Sequence, residues 1–125
     1  MYDGASPVER LGELSAIYDE ARGSGPKVLI RRVWLGDPPR EAFDRQQDLY
    51  RSYASAAAQQ HWRDHGFLCR DDPAELAADL TAAMTAAGAT CLNLRVHVPG
   101  ITPEMAREQV TRLGTDVLPR LSSGG

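Results

Sequence analysis

Cysteine is scarce in this 125-residue chain: there are two, Cys69 and Cys91. They lie far apart and form no CxxC, so neither a disulfide-framed secreted scaffold nor a zinc ribbon is indicated, and both are read as reduced thiols of a cytoplasmic protein. A basic excess is also missing. Lys and Arg number 14 against 17 Asp and Glu, a net charge of -3, which counts against a nucleic-acid binder. No apolar run approaches the roughly 18 residues of a membrane span. The opening Met1-Tyr2-Asp3-Gly4 has neither the basic start nor the apolar core of a signal peptide. GxGxxG, GxxxxGK[ST] and GxSxG do not occur, so Rossmann and P-loop phosphate binding and a nucleophile elbow are unsupported. His61 and His65 have the spacing of two metal ligands on one helix face. No HExxH glutamate or carboxylate cluster accompanies them, so they are expected to be exposed histidines near a helix end and no metal is expected.

What remains is ordinary globular composition, 42% hydrophobic and 25% charged, at a length suited to a single domain over residues 1–125. The apolar spacing predicts a helix from Ser6–Pro7 onward, with Pro7, Leu11, Leu14, Tyr18 and Ala21 on its buried side. Gly23-Ser24-Gly25-Pro26 stops it. Lys27–Leu35, rich in β-branched and long apolar side chains, reads as a strand ended by Gly36-Asp37-Pro38-Pro39. Arg40–Trp62 reads as helical and residues 65–70 as a linker. Asp72 before Pro73 is a cap followed by a first-turn proline, opening a helix with the stripe Leu76, Leu80, Met84 and Ala87 and closing at Gly88. In Thr90–Val98, Leu92, Leu94, Val96 and Val98 alternate with Asn93, Arg95 and His97, the period of a strand with one apolar and one polar face. Thr102-Pro103 opens a last helix with the stripe Ala106, Val110, Leu113, Val117 and Leu121. Alternating strands and helices predict parallel α/β architecture.

Several stretches in the second half carry a family resemblance. They are Asp72-Pro73-Ala74-Glu75, Ala86-Ala87-Gly88-Ala89, Leu92 through Gly100, Ile101-Thr102-Pro103-Glu104, Gln109-Val110, and Asp116 through Leu121. In order and spacing this resembles the carboxyl-terminal part of the bacterial-luciferase-like flavin-dependent oxidoreductases, where a strand gives onto a Pro-Gly turn and a helix closes in Val-Leu-Pro. Val28–Gly36 resembles the preceding barrel strand, and the resemblance spans about residues 25–121. It implies a (β/α)8 TIM-barrel-like fold, reduced flavin mononucleotide (FMN) or a deazaflavin at the barrel mouth, and monooxygenation of a small organic substrate or a hydride transfer. A complete barrel of this kind takes eight strands and roughly 250 residues. The expectation is therefore an incomplete barrel, its last two βα units with an extra helical insertion. Exposed strand edges then call for a second copy or a partner chain supplying the missing strands.

The polar faces of the two strands hold the candidate site. His97, nearest the carboxyl end, is the expected catalytic residue, able to donate to a flavin oxygen or move a proton near neutral pH. Arg95 and Asn93 on the same face, and Arg32 and Trp34 on the first strand, are the expected cofactor contacts: arginine through its planar donors, tryptophan through its flat ring. Which of Arg31 and Arg32 points inward is open. Tyr50 and Tyr53 are lid candidates, and Gly36 with Asp37 and Gly100 with Thr102 are phosphate-loop candidates. A rival expectation is a non-catalytic strand-pairing module or homodimer without cofactor. Another is a truncated reading frame whose upstream sequence encodes the missing units.

Overall fold

Asp72 opens the helix whose ends the sequence specifies most clearly. Its carboxylate accepts from the Ala74 N–H at 2.9 Å, Pro73 takes the first turn, and α2 (Pro73–Ala87) runs to Gly88, left-handed at φ 66°. A side chain there would strain the backbone and collide with Ser15 Oγ, so the stop is specific to glycine. The computed structural model describes residues 7–42, 44, 45, 48, 68–97 and 100–123. Ahead of α2 come α1 (Val8–Glu20), β1 (Val28–Leu35) and β2 (Leu68–Arg70). After it come β3 (Cys91–Arg95), α3 (Pro103–Arg112), a wide π turn (Leu113–Val117) and α4 (Leu118–Ser123). Residues 40–42, 44, 45 and 48 are helical.

The strands form one parallel sheet in the order β2-β1-β3. The α/β class and the parallel pairing of the two expected strands are observed. The third strand is a correction: Leu68–Arg70, read as linker, pairs with Val33–Leu35. At three residues it is too short to show a period. Its Arg70 is tied to Asp79 of α2 by a 2.7 Å bond from Nε.

On one side of the sheet, Val33 and Leu35 pack with Leu76, Ala77, Leu80, Leu113 and Val117, and Leu92, Leu94 and Val96 join them. Leu29 continues this layer toward Leu11 and Ala87. Helix α1 crosses α2 closely at Gly12, where a Cβ would strike the Ala86 carbonyl.

Two expected stripes are corrected. In α1 the buried pair is Leu11 and Ser15, while Leu14 and Tyr18 are 42% and 37% exposed. Polar bonds pull Ser15 inward. It accepts from Lys27 Nζ at 2.8 Å and donates to the Gly88 carbonyl at 3.3 Å. Lys27 also meets both oxygens of Asp19, at 3.1 and 3.0 Å. Across α3 and the π turn the buried row is Gln109, Leu113 and Val117, and Val110 is 62% exposed.

The expected boundaries also shift. Pro7 is the cap rather than the first helical residue, at ψ 142°, and its carbonyl accepts from Leu11 N–H. The last strand stops at Arg95, short of Val98. Thr102 caps α3 as expected, accepting from Met105 N–H at 3.2 Å.

Candidate functional site

Strands β1 and β3 are in register from Val28 beside Cys91 to Arg32 beside Arg95. Residues level with each other in a parallel ladder put their side chains on the same face, and faces alternate along each strand. Leu29, Val33 and Leu35 therefore share the helix-packed face with Leu92 and Leu94. The opposite face collects Ile30, Arg32 and Trp34 from β1 with Cys91, Asn93 and Arg95 from β3. His97 follows two residues beyond Arg95. The alternation thus brings four of the five expected site residues, Arg32, Trp34, Asn93 and Arg95, to one side of the sheet, and His97 lies beyond the end of β3.

This face is graded from dry to wet. On β1, Ile30 and Trp34 are 6% and 4% exposed, and Arg32 is half-buried. On the β3 side Asn93, Arg95 and His97 are exposed. Two arginines, Arg32 and Arg95, stand level on adjacent strands. Arg32, not Arg31, faces this side. Arg31 lies on the other face, 7% exposed, with Nη1 donating to the Ile30 carbonyl at 2.8 Å. Trp34 is held edge-on to the following turn, its Nε1 donating to the Asp37 carbonyl at 3.1 Å. Its burial leaves little of its ring for stacking with a ligand.

Sequence reasoning missed Gln109. Beyond Arg32 and Arg95 the two strands stop pairing, and the Leu35 backbone would be left without a partner on the β3 side. Gln109 supplies both bonds. Its Oε1 accepts from Leu35 N–H at 2.9 Å and its Nε2 donates to the Leu35 carbonyl at 2.8 Å. Arg112 Nη1 adds a bond to that carbonyl at 2.9 Å. Two side chains of α3 thus finish the ladder and hold the end of β1, which explains why β3 ends early. The available signal was a polar residue four positions ahead of Leu113 and eight ahead of Val117, in the row that the π turn keeps aligned.

The phosphate-loop candidates are partly spoken for. The Arg112 guanidinium lies over Gly36 and that of Arg45 over Gly100, while Thr102 Oγ1 serves as the cap of α3. Cys69, level with Trp34, has its thiol pushed up by burial, with the Arg40 guanidinium opposing the shift. Both cysteines are free. Tyr50, Tyr53, His61 and His65 lie outside the described residues. Among the described residues no cluster of metal-ligating side chains occurs, and no helix is long and apolar enough to cross a membrane. A groove of about 470 Å³, lined by Ala74, Ala78, Thr81, Ala82 and Arg120, runs along α2 away from these residues.

Arg32 and Arg95 carry planar guanidinium donors, Asn93 an amide and His97 an imidazole. Comparison with known proteins brings no further assignment: no family model matches the chain, and no curated protein or solved structure matches it.

Proposed function

We propose that this chain is a luciferase-like, flavin-dependent oxidoreductase domain that takes FMN or a deazaflavin and a small organic substrate on the polar face of its sheet. One observation supports the reading: Arg32, Asn93 and Arg95 share one face of two adjacent parallel strands, with His97 two residues beyond the end of β3, toward the carboxyl ends, where α/β proteins hold ligands. In this reading β1 and β3 correspond to the last two strands of a (β/α)8 architecture, and β2 takes the edge where a preceding strand would pair.

Arg32 and Arg95 hold the anionic group of the cofactor by charge-assisted bonds. Asn93 bonds a ring carbonyl. The His97 imidazole would hold or move a proton on the bound group. Trp34 backs the face by packing. The bound flavin supplies the electron-accepting and electron-donating chemistry. The exposure of Asn93, Arg95 and His97 means that water exclusion has to come from outside this set of residues.

Titration with FMN, read by flavin fluorescence, tests the proposal. Saturable quenching is expected, and Arg95→Ala should weaken it about tenfold, the equivalent of one charged hydrogen bond. A signal that never saturates, or one that Arg95→Ala and His97→Ala leave unchanged, overturns it.

A further inference from the structure

Among the described residues no strand pairs with the outer edge of β3. Cys91 N–H donates inward to the Lys27 carbonyl at 3.1 Å. Backbone groups alternate from edge to edge along a strand, so Cys91, Asn93 and Arg95 bond toward β1. Leu92 and Leu94 send their N–H and C=O groups outward. In the sheet order β3 is terminal, and among the described residues no strand meets those outward groups. Natural edges are commonly blocked by lysine, proline or a bulge, and Cys-Leu-Asn-Leu-Arg contains no lysine or proline.

We infer that this edge binds a second copy of the same chain, antiparallel, with the two-fold axis at Asn93. The sequence is self-complementary in that register and that orientation. Leu92 falls opposite Leu94 of the second copy, and Leu94 opposite its Leu92. These are the residues with outward backbone groups, so the two hydrogen-bonded pairs exchange four bonds. Their side chains lie on the helix-packed face, where Leu92 and Leu94 are half-buried, so the apolar layer continues across the axis. On the polar face Asn93 meets Asn93, two amides that can bond each other. Cys91 meets Arg95, which keeps the two Arg95 residues far apart. A parallel arrangement through the same edge would turn the faces of the second copy over, so the apolar layer would not continue across the contact. An isologous contact closes on itself and uses up this edge, so the joined sheet ends on each side at the three-residue β2. The result is a six-stranded sheet whose polar faces merge, so each copy lends Asn93 and Arg95 to the border of the other's candidate site. The dimer is independent of whether that face takes flavin.

The register is directly testable, because Cys91 and Arg95 form a non-hydrogen-bonded pair with Cα atoms about 4.5 Å apart, within disulfide range. Light scattering without any flavin should show wild-type protein as a concentration-dependent dimer. Arg95→Cys, at an exposed position, should oxidise to a covalent dimer on non-reducing gels, and the same variant lacking Cys91 should not. Asn93→Asp places two carboxylates together at the axis and should weaken dimerisation about fivefold at neutral pH, with recovery on acidification. A wild-type monomer at high-micromolar concentration overturns the inference and leaves the edge to a different chain. A wild-type dimer that folded Arg95→Cys fails to cross-link, or that Asn93→Asp leaves intact, places the contact elsewhere and overturns it equally. Flavin titration is a separate reading, so either proposal can fail alone.

Discussion

The two faces of the sheet are made from the same two strands by the same alternation, yet they differ in what fixes them. The helix-packed face is closed by leucines and valines with no exposure: Leu29, Val33 and Leu35 from β1 against Leu76, Leu80 and Val117. The opposite face is mostly covered at β1, where Ile30 and Trp34 are buried and Arg32 half-buried, then polar and open at Asn93 and Arg95, with His97 exposed just beyond the end of β3. Burial of apolar area drives folding, so the closed face carries most of the stability. An exposed asparagine or histidine contributes little to it. Side chains that the fold does not require are the ones free to serve ligands or partners.

The sharpest test of that division compares one residue from each side. Leu80→Ala removes a side chain with no exposure from the middle of the closed layer, and the lost burial plus the cavity should cost about 3 kcal/mol. Asn93→Ala should change monomer stability by less than about 0.5 kcal/mol. Urea denaturation, at a concentration low enough to exclude dimerisation, measures both. Equal effects would break the division.

Next in size is Gln109, which joins the closed layer to the end of β1. Gln109→Leu keeps the volume roughly constant but leaves the Leu35 N–H without its partner and the Leu35 carbonyl with Arg112 alone. A cost of about 2 kcal/mol is expected, because a buried backbone donor loses its bond. A neutral result would mean that Val96 and His97 swing in to extend the ladder. Amide exchange at Leu35 separates the two cases.

These contrasts show where the sequence is informative. Local rules were legible. Asp72-Pro73 and Thr102-Pro103 were read as caps and serve as caps, Gly88 was read as a stop and is left-handed, and the alternation in Thr90–Val98 assigned both faces of β3. All of these depend on residues within a few positions of one another. What was not legible depends on distant partners. Ser15 is buried because Gly88 and Lys27 receive it. Gln109 displaces Val110 from the interior because the Leu35 backbone, 74 residues away in sequence, needs two bonds. Leu68–Arg70 becomes a strand because β1 offers it an edge. For the candidate site, alternation puts Arg32, Trp34, Asn93 and Arg95 on one side while His97 falls past the end of β3, and their unequal exposure follows from the central position of β1, which the sequence does not reveal.

The smallest effect concerns the two cysteines, which sit on the open face at opposite edges of the sheet. Cys91 is exposed on β3, while Cys69 is half-buried on β2. Thiolate is the reactive form, and burial raises the Cys69 thiol above its ordinary range, so at neutral pH a smaller fraction of it is ionised. The Arg40 guanidinium opposes that shift without cancelling it. A substoichiometric, water-soluble maleimide should therefore label Cys91 first, with Cys69 following more slowly and gaining rate as pH rises past the usual thiol range. In urea the two rates should converge, since both the cover and its electrostatic effect are lost. Peptide mapping of the labelled protein checks the order. Preferential labelling of Cys69 in the folded chain would show that the dry end of the open face is wetter than its burial indicates, and the gradient from β1 to β3 would have to be redrawn.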